Sequence, residues 1–197
     1  MKRPLLIALT VAALAGCATT ASMPRSTAAV AAYQDNIELA GGIFISYIRD
    51  GKREPLNGSF IWRQTKTNTD ISLNSPTGQT VAVINVTPRS ATLTESGKPP
   101  RSAPDVDTLT AQTLGWTLPV SGMRDWLQGY ATDRDGQRFV ASPANNSVIT
   151  RDGWKLEYVS WQDDSAAVPQ PKRIDATRIV LGEAVDDMQI RVVIRPQ

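Results

Sequence analysis

The chain has 197 residues, 41% of them hydrophobic and 20% charged. That is room for one ordinary domain with a buried core, and it excludes a disordered or low-complexity protein. There is no His and only one Cys, which excludes an internal disulfide, a Cys-based zinc or iron–sulfur site, and any Ser–His–Asp mechanism. The formal net charge of +2 rests on Lys2 and Arg3; without them, basic and acidic residues balance at 19 each, so charge gives no support to nucleic-acid binding.

Met1-Lys2-Arg3 is a short positive start, and Pro4 to Ala15 is an apolar run. At about a dozen residues it is too short to span a bilayer, which takes roughly 20. It ends in Leu14-Ala15-Gly16-Cys17, which resembles the bacterial lipobox. The expectation is a lipoprotein signal peptide over 1–16 and lipid attachment at Cys17. A flexible tether over 17–28, small and polar in composition, follows. Several acyl chains, at ~0.8 kcal/mol per buried CH₂, make a firm anchor. Ala18 stands where Asp commonly retains lipoproteins of Gram-negative bacteria in the inner membrane. Its presence implies the outer membrane, with the protein facing the periplasm.

Residues 29–197 read as a single domain. Over 28–39, Val30, Tyr33 and Ile37 lie near helical spacing, which predicts a helix stopped by Gly41-Gly42. Short β-like runs follow. Ile43–Arg49 is apolar and β-branched, and Asp50-Gly51 is a hairpin turn. Ser59–Thr65 alternates, with Phe60, Trp62 and Gln64 on one face. Thr69–Leu73 puts Ile71 and Leu73 together. Ser75-Pro76-Thr77-Gly78 is a turn, and Gln79–Thr87 and Ser90–Glu95 are further strands. A Pro-rich loop over 97–106 leads to a helix capped by Asp105 or Asp107 and stopped at Gly115. A second helix is predicted over Ser121–Gln128, with Ser121 as its N-cap and Met123, Trp126 and Leu127 as its apolar stripe. Strands are then predicted over 137–141, 147–150, 154–161, 173–179 and 188–195. The fold class is therefore α+β, mainly β: an antiparallel sheet of about 9–11 strands, curled by its own width, with two or three helices on one face.

No nucleotide-binding loop and no GxSxG motif occurs. Asp163-Asp164 and Asp186-Asp187 are acidic doublets without further ligand spacing and read as solvated turns. Neither a metal nor another cofactor is expected, and no catalytic residue is assigned.

One ordered set of motifs carries a family resemblance. Leu118-Pro119-Val120-Ser121-Gly122-Met123-Arg124-Asp125-Trp126-Leu127-Gln128-Gly129 resembles the LPx..L..W..G motif of the LolB family of outer-membrane lipoprotein receptors. In the same order stand Gly42-Ile43-Phe44, Phe60-Ile61-Trp62-Arg63-Gln64, Asn74-Ser75-Pro76-Thr77-Gly78 and Trp154-Lys155-Leu156-Glu157-Tyr158. The resemblance implies a curved half-barrel closed by helices around a hydrophobic cavity. It implies a monomer that takes acylated lipoproteins from the periplasmic carrier LolA and releases them into the outer membrane. The residues expected to line the cavity are Phe60, Trp62, Ile71 and Leu73 on the sheet, and Trp116, Leu118, Met123, Trp126 and Leu127 on the helical side. Pro76-Thr77-Gly78 corresponds to the family's membrane-delivery turn, which often carries a Leu where this chain has Thr77. The alternative is a non-catalytic scaffold lipoprotein of an outer-membrane assembly machine, which would fill the space between sheet and helices with side chains.

Overall fold

The computed structural model describes residues 25–163, 165–179 and 186–196; Cys17 and the expected signal peptide over 1–16 lie outside them. Strand β1 (Ile37–Arg49) buries Ile43, Ile45 and Tyr47 at alternate positions. The turn Asp50-Gly51, with φ of 49° and 71°, returns the chain into β2 (Lys52–Gln64), as a primed hairpin turn requires. Gly41-Gly42 lies inside β1 and does not stop it. A Cβ on Gly41 would stand 2.3 Å from the Val193 carbonyl oxygen, so the close approach of the neighbouring strand depends on glycine there.

On β2, Phe60, Trp62 and Gln64 all face inward. Gln64 is tolerated in the core because both ends of its amide are bonded: Trp62 Nε1 donates to Gln64 Oε1 at 3.1 Å, and Gln64 Nε2 donates to the Tyr33 hydroxyl at 2.8 Å. Hairpins continue through β3 (Thr69–Asn74), β4 (Thr80–Thr87), β5 (Ser90–Glu95) and β6 (Arg101–Ala103). Sequence patterning misses β6, because three polar-flanked residues carry no alternation; pairing with β5 makes it a strand. Helices α1 (Val106–Leu114) and α2 (Val120–Trp126) follow. Next come β7 (Tyr130–Thr132) and β8 (Arg138–Val140), which form a separate two-stranded ribbon. β9 (Ser147–Ile149), β10 (Trp154–Trp161), β11 (Pro171–Arg178) and β12 (Asp186–Ile194) complete the order.

The main sheet has ten strands in the order β6-β5-β4-β3-β2-β1-β12-β11-β10-β9. It consists of two antiparallel meanders joined where the first strand pairs with the last, Gly41 opposite Ile194 and Ile45 opposite Ile190. The result is the curved antiparallel half-barrel, with its inner face covered by the buried sides of α1 and α2 (Val106 and Leu109; Val120, Met123 and Trp126).

Two local expectations are corrected. Residues 28–39 do not form a helix; the chain runs without regular structure to Ile37, where β1 begins. A segment of that length is marginal as an isolated helix, and its backbone finds better partners across the fold. Val30 N–H donates to the Ala141 carbonyl at 3.1 Å, and Ala144 N–H to Ser26 at 3.0 Å. The Tyr130 hydroxyl donates to Ala31, and Gln34 and Gln128 exchange two bonds. The second correction concerns α2. Pro119 occupies its cap position, and Ser121 is the second residue inside the helix. Asp107 accepts from the Ser121 N–H and hydroxyl instead, while Asp105 caps α1 through the Thr108 N–H at 2.7 Å. Each of the two aspartates thus secures a different helix. Gly115, at φ 79°, ends α1.

Candidate functional site: an apolar cavity under the helices

Strands β1 to β5 and helix α1 do not close completely on one another. Between them lies a cavity of about 350 Å³, walled by Ile43, Leu73, Ile84 and Leu93 from the sheet and by Leu109, Leu114 and Leu118 from the helical side. Its rim passes Leu56, Asn57, Val81 and the turn residues Asn74, Ser75 and Pro76. Leu56 and Val81 are 40% and 45% exposed, so apolar surface continues from the cavity out to the mouth. A second void of about 30 Å³ lies deeper, beneath α2, among Phe60, Trp62, Ile71, Met123 and Leu127.

The residues expected from the sequence fall into three groups. Leu73 and Leu118 line both spaces. Phe60, Trp62, Ile71, Met123 and Leu127 surround only the deep void. Trp116 and Trp126 belong to the lining of neither; Trp116 packs on Tyr47 with ring centroids 5.1 Å apart, and Trp126 packs on Trp154 at 6.0 Å. Sequence reasoning missed Ile84, Leu93, Leu109 and Leu114. The signal was present in the alternation of β4 and β5 and in the stripe of α1, but alternation marks an inward face without saying whether the facing element leaves a gap.

The helices are held at defined points. Arg124 on α2 donates to the Thr65 carbonyl at 2.8 Å and to the Thr69 hydroxyl, which ties the helix to the loop between β2 and β3. The Tyr158 hydroxyl donates to the Trp126 carbonyl at 3.2 Å, one of the orphan acceptors at the helix end; burial pushes this phenol's pKa upward. Arg49 Nη2 donates to the Leu114 carbonyl at 2.6 Å, at the C-terminus of α1, where a cation is favoured. Beside the mouth, Glu95 accepts from Lys98 at 3.0 Å and from Arg101. These bonds hold its carboxyl below the usual range, with Lys98 the larger influence.

At the turn between β3 and β4, Pro76, Thr77 and Gly78 are exposed. Gly78 takes φ 87°, and the Thr77 and Ser75 hydroxyls pair at 2.8 Å. Asp163 accepts from Ser165 within its own turn, and Asp164 lies outside the described residues; Asp186-Asp187 is not a turn but opens β12, where Asp187 pairs with Arg53 of β2. Among the described residues, no three His, Cys, Asp or Glu side chains stand together as a metal set.

The profile of the family "Outer membrane lipoprotein LolB" matches residues 36–196. The chain is similar to an outer-membrane lipoprotein LolB of Cupriavidus taiwanensis, 40% identical over 165 residues, which cover 81% of this chain and 80% of that one. It is similar to another of the same name from Ralstonia nicotianae, 34% identical over 203 residues, covering 96% and 94%. Among solved structures, a LolA superfamily protein from Nitrosomonas europaea matches with a TM-score of 0.46 at 8% identity, over 85% of this chain and 87% of that one. With a family match across the whole folded part and relatives of that identity and coverage, the chain belongs to the LolB family of outer-membrane lipoproteins.

Proposed function

We propose that this protein receives the acyl chains of lipoproteins from the periplasmic carrier LolA in the cavity between sheet and α1 and passes them to the outer membrane. In this reading it is a monomer, anchored by lipid on Cys17 and facing the periplasm. The observation that carries the reading is the unfilled apolar cavity of about 350 Å³, in an interior that close packing would otherwise fill. An acyl chain bare in water costs on the order of 10 kcal/mol, at ~0.8 kcal/mol per CH₂. A concave apolar site removes most of that cost. With no nucleotide-binding motif in the chain, transfer runs downhill in affinity, from carrier to receptor to bilayer. The exposed turn Pro76-Thr77-Gly78, beside the mouth, is the segment that meets the membrane.

The test is to incubate the protein without its leader and anchor with LolA loaded with a triacylated lipoprotein, and then to add liposomes. Cargo is expected to move to the protein and onward to the liposomes. Cargo that never leaves the carrier would overturn the reading and favour a scaffold, although a scaffold has no use for the open space.

A further inference from the structure

Four residues, Ile43, Leu73, Ile84 and Leu118, line both the open cavity and the deep void beneath α2. They are a wall one side chain thick between the two spaces. Leu118 is the member contributed by the link between the helices, and it is 7% exposed. Its position is held: its backbone N–H donates to Thr110 Oγ1 at 3.1 Å, and that hydroxyl in turn donates to the Asp107 carbonyl at 3.0 Å on α1. Pro119 follows at once and removes a further degree of freedom. The wall is therefore rigid at this point, while the void behind it is wholly apolar in its lining (Phe60, Trp62, Ile71, Met123, Leu127) and too small to take a chain of its own.

We infer that Leu118, with Leu73 opposite, sets how far an acyl chain reaches into the protein, and so sets the chain length it prefers. This rests on the proposal that the cavity takes acyl chains. Shortening Leu118 to Ala removes three carbon atoms from the wall and joins the two spaces, because a core relaxes only partly around a deletion. A bound chain then gains about three methylenes of buried length. Each is worth about a fourfold rise in affinity, the equivalent of ~0.8 kcal/mol per CH₂.

The experiment measures displacement of a fluorescent fatty acid from the purified protein by a ladder of saturated fatty acids from octanoate to stearate. The parent is expected to show rising affinity up to one length and a plateau or fall beyond it. Leu118→Ala is expected to move that break to longer chains, with the longest acids gaining tenfold or more relative to the shortest. Leu73→Ala, on the sheet side of the same wall, is expected to move it the same way, and it tests the partition should Leu118→Ala not fold. If the parent binds the ladder and folded variants weaken all lengths equally without moving the break, the partition is overturned and the cavity reading survives. If the parent binds no acid of any length, both fall.

Discussion

If the proposed function holds, Thr77 is the residue at which capture and delivery can be separated. It stands at the exposed tip of the turn between β3 and β4, with its hydroxyl paired to Ser75, and it forms no part of the cavity wall. Thr77→Leu is expected to leave cargo capture unchanged and to speed release into liposomes several-fold, measured as cargo recovered with vesicles. Stability should shift by no more than ~0.5 kcal/mol, as for an ordinary surface change. Asp175 makes a different residue-level prediction. Burial works to raise its pKa, but hydrogen bonds from Arg173 at 2.9 and 2.5 Å and from Arg191 at 3.2 Å outweigh it and hold the carboxyl below its ordinary 3.8. Its stabilising contribution is therefore complete above pH 3.8 and is lost as pH falls through the lower folded value. Asp175→Asn is expected to cost about 1 kcal/mol at neutral pH, for an ion pair only partly open to water. The cost should fade in urea titrations at acid pH, where wild type loses the same charge.

At the scale of elements, α1 was legible and the N-terminal strap was not. Asp105 and Gly115 are local signals, each acting within a turn of its own helix, so α1 could be bounded from neighbours in sequence. The Asp50-Gly51 hairpin and the burial of Phe60 and Trp62 were legible for the same reason. The strap over residues 26–34 takes its conformation from Gln128, Tyr130, Ala141 and Ala144, about a hundred residues away, and no local pattern carries that. The cavity was legible in part: Leu73 and Leu118 were found by periodicity and motif, whereas the separation of wall from plain core needs the coordinates of both faces. Helix α2, seven residues long, is far below the length that sustains an isolated helix and depends on its attachments. Arg124→Ala removes the bonds to Thr65 and Thr69. It is expected to cost about 2 kcal/mol, as charged hydrogen bonds do, and to accelerate hydrogen exchange in α2 before that in β1 and β2.

For the whole molecule, the controlling feature is the pairing of β1 with β12. The two meanders could each be read from the sequence as successive hairpins, but the seam between the first and last strands could not, because hairpin signals report only neighbours. Residues 41–46 of β1 meet residues 189–194 of β12, which joins segments from near the two ends of the described chain. Deleting the chain from Asp186 onward is expected to leave the edges of β1 and β11 that pair with β12 bare and to abolish the cooperative unfolding transition, rather than lower its midpoint. Near-ultraviolet circular dichroism of the tryptophans reads this directly. Since such non-local pairing must close large loops, folding is expected to be slow for a domain of this size.

The hairpin of β3 and β4 is shorter than the one beside it. Pairing of β2 with β3 stops at Ser59 opposite Asn74, while β2 continues back to Lys52 with only β1 as a neighbour. The shortfall opens the mouth of the cavity, and it also leaves the stretch 52–58 with one bare side. A bare strand edge invites pairing with another molecule. This one begins Lys52-Arg53-Glu54-Pro55, three charges and a residue with no N–H to offer, which are the features that discourage a foreign strand. An apolar opening can thus stay uncovered in a crowded compartment without becoming a template for aggregation, and its defence against self-association lies in the backbone chemistry of its rim.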